Sequence, residues 1–128
     1  MDKKIISTGA ILGMIAIILG AFGAHALKKI VPIEALSTFE TGVKYQMYHA
    51  LFLVFLGLAT ELSKKAQKII YYLVVFGVIF FSGSIYLLAT KSLTSFDFKA
   101  IGIITPIGGL LLILAWGILI FNLTKKNS

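Results

Sequence analysis

Four long apolar runs, at about 5–27, 45–60, 69–90 and 103–123, alternate with short stretches that carry lysine. Each is long enough, or nearly so, to cross a hydrocarbon layer as a helix, which takes about 20 apolar residues. The pattern predicts an all-α, polytopic membrane protein: a single domain, 1–128, of four transmembrane helices (about 4–27, 37–62, 69–90 and 105–123) in an up-down bundle. Lys3-Lys4, the first run and Ala24-His25-Ala26 imitate a signal peptide with a small-x-small cleavage site. The run exceeds the roughly 7–15 residues of an ordinary signal core, so it reads as a retained first membrane helix.

Small residues punctuate these runs. In helix 1, Gly9, Gly13, Ala16, Gly20 and Ala24 fall in one narrow arc of a helical wheel, a seam along which another backbone can approach closely. In helix 2, Ser37 and Glu40 fit a capping box, and Val31-Pro32 suits an extended entry. The polar stretch 63–68 reads as a loop before helix 3, in which Gly77 and Ser84 share a face. The loop 91–99 is polar and carries Phe96 and Phe98 at the interface. Thr105-Pro106 fits an N-cap followed by proline at the first helical position, the alternative being a start near Ile101 with a kink at Pro106. Gly108, Ala115 and Asn122 form a seven-spaced small or polar seam in helix 4, and Trp116 reads as apolar filling or a lipid contact.

Composition sharpens the class. Of 128 residues 59% are hydrophobic and 13% charged, whereas a soluble domain has about a quarter of its residues charged. The net charge is +7, with no arginine. The lysines sit at the ends of the apolar runs, where lipid headgroups explain them better than nucleic acid does. The expected partner is therefore the lipid bilayer, and a homo-oligomer formed through the glycine seams fits as well. The absence of cysteine removes disulfides, thiolate catalysis and cysteine-ligated metals. Lys3, Lys4, Lys64, Lys65, Lys68, Lys125 and Lys126 fall on one side of an up-down bundle, against Lys28, Lys29, Lys44, Lys91 and Lys99 on the other. Positive-inside then favours both termini in the cytoplasm.

In such a bundle the unusual polar residues gather in one leaflet, and the opposite half has almost nothing polar. His25 ends helix 1; Gly42, Gln46 and His49 share one face of helix 2, bordered by Tyr45, with Thr60 deeper on the same line; Ser84 and Tyr86 end helix 3; Thr105 begins helix 4. Ionisable residues at that depth usually face the bundle interior. Glu40 and Lys44, spaced i,i+4, can pair at the interface.

The segments GAFGAH, ETGVKYQMYHA, SGSIYLLA and ITPIGGLLLILAW together resemble the YgdD/YwdK-like proteins, small four-helix bacterial membrane proteins classed as a domain of unknown function. The resemblance covers nearly the whole chain. It implies the fold and the membrane location, and brings no activity with it.

Function is weighed on the residues alone. The plain reading of His25 and His49 is hydrogen bonding between helices, and the sharper one is ligand contact or proton transfer. A metal would need a third ligand that the Gln46/His49 face does not offer, so neither metal nor cofactor is expected. No spacing matches a nucleophile motif, so the chain does not read as an enzyme. Helix 1 lacks the deep carboxylate expected of a small proton-coupled exporter. The expectation is a structural or interaction-type helical membrane protein with a small polar cluster. The alternative is a small transporter or sensor that binds a solute or a lipid headgroup there.

Overall fold

The structure is a computed structural model that describes residues 1–94 and 99–125; the loop aromatics Phe96 and Phe98 lie outside the described residues. All regular structure among the described residues is helical. Helix α1 (Lys3–His25) begins at Asp2, whose carboxylate accepts from the Ile5 N–H at 3.1 Å while its own N–H donates to the Gly57 carbonyl at 2.8 Å. A 3-10 turn (Leu27–Lys29) leads to α2 (Ile33–Leu58).

Helix α2 starts five residues earlier than the capping box predicts. Pro32 stands extended at the N-cap, Glu34 occupies the first turn where a carboxylate suits the positive helix end, and Ser37 is inside the helix. The earlier start lets Leu36 and Phe39 pack with Leu27 and Ala89, a reward that the capping pattern does not show. Helix α2 ends at Leu58, so Thr60 lies beyond it and not on its polar line.

The stretch 63–68 is likewise not a loop. Ser63 caps α3 (Lys64–Val78) by accepting from the Ala66 N–H at 3.1 Å. Gln67 then turns back to donate to the carbonyls of Leu56 and Ala59, at 2.9 and 3.1 Å, which satisfies acceptors left over at the end of α2. Helix α3 runs through a five-residue π turn (Ile79–Gly83) into α4 (Ser84–Ala89) as one rod. Helix α5 (Lys99–Thr124) holds Pro106 in its interior, so of the two starts considered the earlier one is found. Thr105 is therefore a mid-helix residue and not an N-cap.

Successive rods pack antiparallel, and glycines set how closely. A Cβ at Gly9 would stand 2.7 Å from the Ala50 carbonyl oxygen, so α1 and α2 touch backbone to backbone there. Further along, Gly23 receives the Phe39 ring. The buried small residues of α1 are thus Gly9, Ala16 and Gly23, seven apart. The predicted arc is corrected on this point: Gly13 and Gly20 only flank the contact, since a Cβ added there would stand at ordinary distances, 3.6 Å from Ala50 and 3.5 Å from Val43, and Ala24 is exposed. The bulk of Phe39 at the far end decides which glycine the partner needs. Gly42 lies under the Tyr86 ring, Gly77 under Leu112, and Gly108 against the backbone of Phe80 and Phe81 in the π turn. Gly77 and Ser84 both meet α5. Of the helix 4 seam, Gly108 and Ala115 are buried, and Asn122 is half-buried with its amide on the Ile118 carbonyl.

Among the described residues, three stretches are long and apolar enough to cross a membrane: 3–29, 64–89 and 99–124, with mean hydropathies of 2.3, 2.1 and 2.4. Helix α2 is as long, at 26 residues, but it carries Glu34, Glu40, Lys44, Gln46 and His49 and falls outside that group. Large apolar side chains point outward on α1 and α5, among them Ile11, Ile17, Ile113, Ile120 and Phe121. The inner faces bury Leu53, Leu56, Ile70, Val74 and Ala115 almost completely.

Candidate functional site

One arc of α2 presents Gly42, Gln46 and His49 inward, and each meets a different neighbour. Gln46, 4% exposed, donates through Nε2 to the Leu12 carbonyl of α1 at 2.8 Å and accepts through Oε1 from the Tyr86 hydroxyl of α4 at 2.7 Å. One amide thereby ties three helices. A turn away, Ser82 in the π turn donates to the Gly42 carbonyl at 2.7 Å. Ser84 donates to the Phe81 carbonyl at 3.0 Å, and its oxygen accepts from the Thr105 hydroxyl of α5.

His49, also 4% exposed, is held from both sides. Its Nδ1 lies 2.7 Å from the Tyr45 carbonyl. A carbonyl can only accept, so the proton sits on Nδ1. Nε2 is then bare, and accepts the indole N–H of Trp116 at 3.1 Å. Phe52 closes the pair, with its ring 4.5 Å from that of Trp116. Trp116 is thus a hydrogen-bond partner of His49 and not mere filling, while 45% of its surface stays exposed at the outside of α5. It is also the chain's single tryptophan, so its emission reports directly on this contact. We expect His49→Phe to shift and brighten or dim that emission, and His25→Phe to leave it unchanged. Identical spectra for all three proteins would disprove the contact.

The structure does not bring every candidate into the cluster. His25 is exposed at the last turn of α1. Tyr45 is 41% exposed and its ring packs, tilted, against Tyr48 and Phe81 at the border. Glu40 and Lys44 are both exposed, and no salt bridge joins them among the described residues. Every buried side-chain nitrogen or oxygen among the described residues has a hydrogen-bond partner. Ser82 and Ser84 spend their protons on backbone carbonyls, away from His49. Among the described residues, no group of three His, Cys, Asp or Glu could hold a metal.

The opposite end of the molecule is not bare, which corrects the expectation that it holds almost nothing polar. A cavity of about 520 Å³ opens between the starts of α1 and α3, lined by Lys3, Lys4, Lys64, Lys68, Gln67 and Tyr71 among others. The Lys4 ammonium sits 5.6 Å from the centre of the Tyr71 ring and 5.8 Å from that of Tyr72. The Tyr71 hydroxyl meets that of Thr8 at 3.0 Å. The sequence signal for this site was the pair of lysine clusters at 3–4 and 64–68, which the up-down pattern puts on one side without saying that they border one cavity.

Comparison with known proteins gives a consistent family. Residues 19–109 match the family model described as a protein of unknown function (DUF423). The UPF0382 membrane protein YwdK of Bacillus subtilis is 38% identical over 125 residues, which cover 96% of this chain and 98% of that one. A UPF0382 membrane protein of Staphylococcus saprophyticus is 39% identical over 123 residues (96% and 98%), and the UPF0382 inner membrane protein YgdD of Escherichia coli 36% over 114 (87% and 82%). No solved structure matches.

Proposed function

The chain belongs to the DUF423 family and is a membrane protein, and from that premise we propose that it serves as a structural, interaction-type bundle of four membrane spans. In this reading α2 is the fourth span. Its polar arc is tolerable in lipid because it is turned wholly inward, away from the bilayer.

The observation that carries the reading is the saturation of the polar cluster: Gln46, Ser82, Ser84 and His49 already have protein partners. A solute entering there would have to break these bonds first. The same saturation supports a non-enzymatic role, since no hydroxyl faces a free base. Self-association has little to draw on from the inner seams, because Gly9 and Gly108 are filled by the chain's own helices. The outward glycines of α5, Gly102 and Gly117, are open to a second copy.

The alternative, a small transporter or sensor, makes the cluster a binding site. Thermal unfolding in detergent separates the two. The wild-type midpoint should be indifferent to a panel of cations, amines, sugars and amino acids. A solute that raises the wild-type midpoint but not that of Gln46→Leu would establish the alternative instead. Orientation is tested separately: with seven lysines on the terminal side against five, reporter fusions at Ser128 should read cytoplasmic and fusions in the 91–99 loop external.

A further inference from the structure

The basic cavity at the α1/α3 end has a peculiarity that helix physics alone disfavours. A cation in the first turn of a helix opposes the macrodipole, and a carboxylate there would suit it. Yet α1 opens with Lys3 and Lys4, α3 opens with Lys64, Lys65 and Lys68, and neither first turn holds an acidic residue. Four of these lysines, Lys3, Lys4, Lys64 and Lys68, line one cavity of about 520 Å³. The one carboxylate on its wall, Asp2, is committed to capping α1. Two helix N-termini and four lysines thus border a space whose one carboxylate, Asp2, already caps a helix, an excess of positive charge that fits an anion.

The shape narrows the anion. Tyr72 lines this cavity and also a second one, an apolar groove of about 470 Å³ between α3 and α5 walled by Ile69, Leu73, Phe76, Phe80 and Leu111. From Ile69 to Phe80 the groove follows α3 for about 16 Å at ~1.5 Å per residue, close to half of a ~30 Å hydrocarbon layer. A charged head joined to an apolar tail one leaflet long matches both parts at once. Lys4, held over the Tyr71 and Tyr72 rings, stands where head and tail would meet.

We propose that cavity and groove together seat one anionic phospholipid, its phosphate among Lys3, Lys4, Lys64 and Lys68 and an acyl chain along Tyr72, Phe76 and Phe80. The site is remote from the Gln46 cluster and stands or falls independently of the role assigned to it.

Native mass spectrometry of the full-length protein, with phosphatidylglycerol or phosphatidylcholine of identical chains added to the detergent, tests this. One phosphatidylglycerol should be retained in preference to phosphatidylcholine. Lys4→Gln/Lys68→Gln should weaken that retention by about tenfold or more. Lys4→Arg/Lys68→Arg should restore it, and Lys28→Gln/Lys29→Gln, at the opposite end, should leave it unchanged. Thermal midpoints of the four proteins show whether each is folded. Equal retention of the two lipids, or equal losses from both glutamine pairs, would overturn the proposal. So would displacement of the lipid by millimolar inorganic phosphate, which would make the site one for a soluble anion.

Discussion

Gly108→Leu is expected to leave almost no folded protein after detergent extraction, whereas Gly117→Leu on the same helix should behave like wild type. A Cβ at Gly108 runs into the backbone of Phe80 and Phe81, and a Cβ at Gly117 meets nothing within 4 Å. Inserting methylenes into a packed site typically costs about 1–3 kcal/mol when side chains can shift aside. Here the obstacle is main chain in the π turn, so α5 must lift off the α3–α4 rod and give up the Gly77–Leu112 and Ser84–Thr105 contacts as well. We place the loss above about 3 kcal/mol, in the range reserved for gross packing faults. Monodispersity by size exclusion and the thermal midpoint report it. A monodisperse Gly108→Leu protein with an unchanged midpoint would mean that α5 does not approach the π turn this closely.

The second large effect concerns Gln46. Hydrogen bonds between membrane helices average only about 0.6 kcal/mol, so loss of the bonds themselves would be modest. Gln46→Leu does more: it leaves the Tyr86 hydroxyl facing a leucine, and an orphaned polar group costs about 1–3 kcal/mol. Tyr86→Phe removes the hydroxyl together with its need. The double variant should therefore lie closer to wild type than the sum of the single losses, with a coupling of about 1 kcal/mol. Strict additivity would show that the two side chains do not depend on each other.

How far the sequence led can be judged residue by residue. The long apolar stretches were legible because composition and length alone mark them. Helix starts were not, since lysines at 64–68 look like a loop until Ser63 is seen capping them and Gln67 reaching back to α2. The inward set Gly42, Gln46 and His49 was legible from the phase of one helix. Their partners were not: Trp116 and Leu12 come from other helices, and the period of one helix says nothing about which neighbour it faces. His25 was misplaced because the end of α1 turns its glycine, not its histidine, toward Phe39. The π turn leaves no mark in composition at all.

Helix α1 packs almost wholly on α2, and α5 on the α3–α4 rod. On the four-span reading, the polypeptide is therefore two hairpins, and a ribosome would deliver them one after the other. The first hairpin can complete the Gly9 contact and the Gln46–Leu12 bond on its own. It cannot yet satisfy Oε1 of Gln46 or Nε2 of His49, since Tyr86 and Trp116 are still to be made. During synthesis the newborn hairpin thus carries an unmet polar demand inside the bilayer, which only its own second half is shaped to meet. The cluster becomes a device for pairing the right halves, spending its specificity once, at birth.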